Sequence, residues 1–281
     1  MSDRTTTRRR QLGAMMRKLR ARKGLTLEEA GRLVGVSKAT VSRYETQAGP
    51  VKWIVVDALC REYGATEAER QAVVGLAKGA KQQGWWSSFA ESIPESMNLL
   101  LTLEDEAVRE SHFCCVYVPG LLQTRAYSTA LQRANEVPLD DTEIERLVDI
   151  RMKRQEILTR RKPLHLWAIL DESVVRRVVG SPQIMKEQLN RLLEANESPH
   201  VTLQVLPFAK GAHAAALGSF VIIGGPEPAL DVVYVDYHAG CLFLEKEEEL
   251  DRYRLAFEYL RAQALDMEAS SDLIHRARKE L

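Results

Sequence analysis

The sequence predicts a mainly α, five-helix amino-terminal domain followed by an α+β domain with one mixed sheet and carboxy-terminal helices. Three observations lead there. Residues 25–45, LTLEEAGRLVGVSKATVSRYE, read as two short helices folded on each other through a tight turn. Helical stripes flank that pair on both sides, which places five helices in roughly 70 residues. Beyond residue 110, short β-branched and aromatic runs alternate with amphipathic stretches, as in a sheet with helices packed on it. At 281 residues the chain exceeds one small domain, so two cores are expected. The divisions fall at 1–79, a linker at 80–94 and 95–281, because KGAKQQ turns small and polar before Gly84, Trp85 and Trp86.

In the first domain, residues 3–9 are polar and expected to lack order, and a helix begins at Arg8. From Arg8 to Lys23, Leu12, Met15, Met16 and Leu19 form one apolar stripe within a basic surround. Thr26 and Glu29 have the spacing of a capping box and open a second helix, whose inner face is Leu27, Ala30, Leu33 and Val34. Gly35 closes it, since glycine tolerates positive φ. Ser37 caps a third helix, in which Val41 and Tyr44 turn inward with Val36. The loop TQAGP leads to Pro50 at the opening of a fourth helix carrying Val51, Ile54, Val55, Ala58, Leu59 and Tyr63, with Trp53 read as core. Gly64 ends that helix. Thr66 and Glu69 make a second capping box, for a fifth helix that buries Val73, Val74, Leu76 and Ala77.

The open side of the third helix is left with Lys38, Ala39, Thr40, Ser42 and Arg43, which are short or cationic and never acidic. Such a face suits the major groove of double-stranded DNA, where cationic side chains at the start of a helix reach base edges. Hydroxyls and the helix amino terminus hold phosphates. The segment GVSKATVSRYE resembles the Cro and repressor type of helix-turn-helix, the xenobiotic-response-element family. The resemblance implies that Lys38, Ala39, Ser42 and Arg43 face bases and that Ser37 and Thr40 face the backbone. Arg17 and Arg20 are expected at phosphates, because their helix carries no acid between Arg4 and Gly24. Arg8, Arg9 and Arg10 could extend toward the minor groove. The competing reading is a helical hairpin used only for packing or protein contact.

In the second domain, residues 95–110 read as a helix with Met97, Leu100, Leu101, Leu103 and Glu104, and HFCCVYVP at 112–119 reads as a buried strand stopped by Pro119 and Gly120. Helices follow at 123–134 and 140–160. Strands are expected at 164–170, 201–206, 219–224, 231–237 and 241–244, with helices at 172–179 and 182–196, the latter capped by Ser181. The tail from Glu245 to Arg278 reads as helical throughout, with Leu250, Tyr253, Leu255, Phe257, Tyr259 and Leu260 as core or interface. The segment VPGLLQTRAY at 118–127, with RMKRQ at 151–155 and DVVYVD at 231–236, looks like the carboxy-terminal domain of the WhiJ-like family of actinobacterial regulators. That resemblance implies a developmental or stress-response transcription factor, antitoxin-like, with a small acidic partner protein.

Charge supports this division of labour. The whole chain is neutral, yet residues 1–79 hold 16 Lys and Arg against 8 Asp and Glu, and the remaining 202 hold 23 against 31. A basic module gains affinity for a polyanion by releasing counterions, while an acidic one stays off the duplex. Cys60, Cys114, Cys115 and Cys241 lack metal-ligand spacing and read as buried thiols of a reducing compartment, so no metal is expected. Neither a signal peptide nor a membrane span is read, so the protein is expected to be cytoplasmic. Asp171, Glu172, His213, His238 and Cys241 could do chemistry, but no flanking signature supports it, and neither catalysis nor a cofactor is expected. The basic run Arg151, Lys153, Arg154, Arg160, Arg161 and Lys162 is either a solvated face or a dock for an acidic partner.

The function expected is that of a sequence-specific transcriptional regulator, a dimeric repressor whose second domain receives a signal from a small partner protein. Two alternatives stand beside it: a small-molecule sensor, and an antitoxin that neutralises a toxin by direct binding.

Overall fold

A computed structural model describes residues 7–46, 51–79, 85, 93, 95–215, 217–225, 231–238 and 240–281. The chain divides into two units, 1–99 and 100–281. Among the described residues of the first, five helices follow in order: α1 (Thr7–Arg22), α2 (Leu27–Leu33), α3 (Lys38–Thr46), α4 (Trp53–Glu62) and α5 (Glu67–Gly79). Leu12, Met16, Leu19, Val41, Val56, Leu59, Tyr63 and Val73 are buried together, which removes their apolar surface from water.

Several expectations for this unit are corrected. α1 begins at Thr7, so Arg8, Arg9 and Arg10 lie in a helix and not in an extended arm. Leu33 is 51 % exposed and Ile54 65 %. On α4 the buried set is Val56, Leu59, Cys60 and Tyr63, at steps of three and four, and Ile54 falls two residues before that stripe, on the opposite side. Trp53 is also outside the core, with the Lys78 ammonium 4.2 Å from its ring centroid. α4 opens at Trp53; the expected loop and Pro50 fall on residues 47–50, outside those described, as does most of the expected linker 80–94.

The second unit is built on a six-stranded mixed sheet in the order β3-β2-β1-β4-β5-β6. Its strands are β1 (Arg109–Cys114), β2 (His165–Asp171), β3 (Val201–Leu206), β4 (Phe220–Gly224), β5 (Val232–Tyr237) and β6 (Gly240–Leu244). β1, β2 and β3 are parallel, and β4, β5 and β6 continue antiparallel from β1. Parallel neighbours need crossovers. These are α7 (Arg125–Arg133) and α8 (Asp141–Arg154), then α9 (Glu172–Arg176) and α10 (Pro182–Asn196). α6 (Glu95–Glu106) precedes the sheet, and α11 (Glu247–Gln263) and α12 (Met267–Lys279) follow it. Leu250, Phe257 and Leu260 of α11 cover Phe113, Ile169, Phe220 and Val233 on one sheet face.

Here too the sequence reading needs correction. β1 starts at Arg109, three residues ahead of the expected 112–119, and stops at Cys114, five residues short of its expected end. Within its polar start Glu110 and His112 are buried and paired through Glu110 Oε2 and His112 Nε2 at 2.7 Å, and its ladders end at Leu170 of β2 and Phe220 of β4. The helical tail is broken: Asp266 caps α12 through the Ala269 amide at 2.8 Å, and the Leu265 amide donates to Val205 O at 2.9 Å. Leu255 and Tyr259 are exposed. Cys60 and Cys114 are buried but Cys115 and Cys241 only half-buried, and none of the four is in a disulfide.

Candidate nucleic-acid interface

The pairing of α2 and α3 begins with backbone geometry. Thr26 and Glu29 form a reciprocal capping box, with Thr26 N donating to Glu29 Oε2 at 2.7 Å and Glu29 N to Thr26 Oγ1 at 3.2 Å. At the far end Gly35 takes φ +70°, and the Val36 amide turns back to Gly31 O at 2.8 Å. Gly31 is the residue over which the turn folds: a Cβ there would lie 2.5 Å from Val36 O. Glycine at this position was not read from the sequence, although its place one turn before Gly35 is the signal that could have shown it.

Ser37 then caps α3. Thr40 N donates to Ser37 Oγ at 3.2 Å, the two hydroxyls lie 3.0 Å apart, and Arg43 Nη2 donates to Thr40 Oγ1 at 3.3 Å. The Arg43 guanidinium is thus tethered, through two hydroxyls, to the amino-terminal turn of its own helix. Val41 and Tyr44 are buried beneath, and the Tyr44 hydroxyl accepts from Lys52 N at 3.2 Å. Above them Ser37, Lys38, Ala39 and Arg43 are exposed and Thr40 and Ser42 half-buried. α3 has no acidic residue in its first turn, and its single acid, Glu45, is buried.

Glu45 separates two arginines that the sequence treats alike. Arg20 donates Nε to Glu45 Oε1 at 2.6 Å and Nη2 to Oε2 at 2.8 Å, and sends Nη1 to Leu25 O at 2.8 Å. Its side chain is 16 % exposed and that of Glu45 3 %. The hydrogen bond that Arg20 donates to Glu45 raises the Arg20 pKa, against a smaller lowering by burial. Three of its donors are spent inside the unit, so Arg20 locks α1 to α3. Arg17 is 59 % exposed, holding Glu45 O with Nη2 at 3.2 Å, and remains on the surface. Arg22 also pairs internally, as a fork onto Glu69 at 2.6 and 2.9 Å.

In the second unit the basic run turns inward. Arg154 forms a fork onto buried Glu104, Arg160 donates to the carbonyls of Asp105, Ala107 and Lys162, and Arg151 donates to Gln123 Oε1 at 2.6 Å. The VPGLLQT segment contains a 3-10 turn, Gly120–Leu122, followed by the Gln123 that Arg151 holds. Gln155 reaches Gly120 O and Gln123 O, and Gln188 binds Leu122 O and the Thr124 amide. Lys153, Arg161 and Lys162 stay exposed. The residues weighed for catalysis are dispersed. Asp171 caps Ser173, Glu172 pairs with Arg176 and accepts from Phe208 N, His213 packs edge-on to Phe113, and His238 lies 3.3 Å from Glu136 on the surface. Among the described residues no group of three His, Cys, Asp or Glu is placed to hold a metal ion, and no helix is long and apolar enough to cross a membrane.

A family model described as a helix-turn-helix domain matches residues 11–73, and one described as a domain of unknown function, DUF5753, matches residues 97–276. No curated protein and no solved structure matches the chain.

Proposed function

From a chain that belongs to the DUF5753 family and carries a helix-turn-helix domain at its head, we propose a sequence-specific, DNA-binding transcriptional regulator that acts as a dimeric repressor. The observation that carries this reading is the outer face of α3. Lys38, Ala39 and Arg43 are exposed on a helix seated by Val41 and Tyr44, and Arg43 is held toward the amino-terminal turn by Thr40 and Ser37. Tethering lowers the rotamer entropy lost when a guanidinium docks on guanine O6 and N7. Arg17 supplies a phosphate contact that carries no sequence information. One such helix reads only a few base pairs, so two copies about 34 Å apart, one DNA turn, give usable specificity.

The second unit is read as a non-catalytic receiver of a signal. Docking of a small acidic protein is weakened as an explanation of the 151–162 run, because Arg151, Arg154 and Arg160 point into the fold. The WhiJ-like resemblance remains the support for a protein partner elsewhere on the unit. The test is selection of duplexes from a random pool by the full-length chain, followed by anisotropy titration of the selected duplex and a scrambled one. A two-fold symmetric site whose binding is weakened by Arg43→Ala upholds the reading; no enrichment, or equal affinity for both duplexes, overturns it.

A further inference from the structure

The two edges of the six-stranded sheet are finished differently. β3 forms one edge and bonds to β2 through alternate residues, beginning with the Leu166 amide on His200 O at 2.8 Å. The other set, Val201, Leu203 and Val205, turn their amides away from the sheet, and each amide is already taken. Val201 N donates to Ser198 O at 3.1 Å, Leu203 N to Asn196 Oδ1 at 2.9 Å and Val205 N to Ser270 Oγ at 2.9 Å. Val205 O accepts from Leu265 N at 2.9 Å. A further strand could add at β3 only by breaking these bonds.

The opposite edge, β6, carries no such closure. It pairs with β5 from Val233↔Leu244 to Tyr237↔Gly240, and among the described residues none outside β5 hydrogen-bonds to Gly240, Leu242, Phe243 or Leu244. An edge strand presents a row of open N–H and C=O groups, and proteins commonly blunt it with a charge, a proline or a bulge. GCLFL holds neither charge nor proline, and its register with β5 is unbroken. Leu242, at its centre, is 48 % exposed. Cross-strand partners share a face, so Leu242 continues a row from Val235, which packs on the core beneath α11. On the other face the Phe243 ring lies 5.2 Å from that of Tyr234. Both rows run out at the edge.

We infer that β6 is the surface through which two copies of this chain pair, antiparallel about a two-fold axis, so that their two sheets become one. A strand uncharged from end to end meets its own copy with no like-charge pair, whereas a partner recognised by charge would find no counter-charge on it. A two-fold through Leu242 sets that side chain against its copy and joins the Val235 and Leu242 row of one subunit to the same row of the other. The interface is isologous, as a closed dimer requires. The inference rests on the dimeric reading above and gives it a surface, one that uses no residue of the first unit.

The experiment is analytical sedimentation of the full-length chain in a dilution series without DNA, for wild type, Leu242→Lys and Leu255→Lys. Wild type should be a dimer that dissociates on dilution. Leu242→Lys sets two ammonium groups side by side at the axis and removes the apolar contact, so its dissociation constant should rise by about 10-fold or more. Leu255 is comparably exposed, at 58 %, but lies on α11, and Leu255→Lys should leave the constant unchanged. Amide hydrogen exchange of the wild-type chain needs no variant to fold. Outward β6 amides should exchange more slowly in the dimer than in the monomer, while the Leu203 and Val205 amides, bonded already, should not change. A chain monomeric at every concentration overturns the inference and the dimeric reading together. A dimer equally stable in Leu242→Lys, or one that forms with β6 exchange unchanged, overturns the surface alone. Outward β6 amides already protected in the monomer would place another segment of this chain on the edge, and that also overturns it.

Discussion

Arg17 and Arg20 lie one turn apart on the same helix, and the structure requires opposite behaviour from them. Arg17 is 59 % exposed, whereas Arg20 is 16 % exposed and engages both oxygens of a carboxylate that is 3 % exposed. Breaking a buried pair by removing one partner leaves the other charge uncompensated, which costs about 3–5 kcal/mol. Glu45→Gln should therefore destabilise the amino-terminal unit by at least about 2 kcal/mol, the amide recovering part of the hydrogen bonding. Replacing both partners with apolar residues of similar volume, Arg20→Met with Glu45→Leu, should cost far less than the sum of the single changes. Hydrogen exchange of α1 and α3 amides reads this unit by itself. The same pair of arginines separates in DNA binding: Arg17→Ala should lower the slope of log affinity against log salt by about 1, for every duplex alike. A folded variant with the Arg20 lock replaced should retain the wild-type slope. An Arg20 variant that stays fully stable but loses one unit of slope would refute the lock and restore a phosphate contact.

Arg43→Ala should weaken the selected duplex by about 1–3 kcal/mol and relax preference at one base pair, while leaving a random duplex almost unchanged in anisotropy titrations. Gly31→Ala should destabilise the first unit by about 1–3 kcal/mol in denaturant unfolding, because the new methyl meets Val36 O at 2.5 Å and the turn must shift. Glu69 is held down to about 2, first by its hydrogen bonds from Arg22, so its contribution is complete above the ordinary carboxylate range and is lost as pH falls toward 2. Glu69→Gln should accordingly flatten that part of the acid-unfolding profile, by no more than about 1 kcal/mol since Arg22 is half exposed. Gln188→Leu should cost about 2–4 kcal/mol in thermal unfolding, by stranding Leu122 O and the Thr124 amide in the interior.

What could be read from sequence were features set by neighbours along the chain. Thr26 with Glu29, Thr66 with Glu69, and Ser37 with Thr40 cap their helices as their spacing requires, because a cap depends on three or four consecutive residues. The order of strands after residue 160 followed for the same reason: each is a short apolar run with its own stop signals. β1 was misplaced because half of its face is Glu110 and His112, and a pattern argument treats such residues as exposed unless their mutual pairing is known. The partner of Arg20 is 25 residues away and that of Arg154 is 50 away, distances over which sequence spacing carries no direction. A basic helix face and a set of internal struts have the same composition.

This ambiguity bears on the segments that carry the family resemblance in the second unit. VPGLLQT and RMKRQ meet in space, and what they build first is support. The 3-10 turn exposes carbonyls that no ladder can take up, and buried backbone acceptors need partners. Gln155 and Gln188 supply them, and Gln123 passes a fixed amide orientation on to Arg151. Gly120 belongs to the same arrangement, since its carbonyl accepts from Gln155 Nε2 at 2.9 Å. The basic residues of this stretch are struts before they are a surface: Arg151 holds Gln123, Arg154 holds Glu104 and Arg160 holds three carbonyls, so a run of like charge in the sequence does not by itself mark a dock.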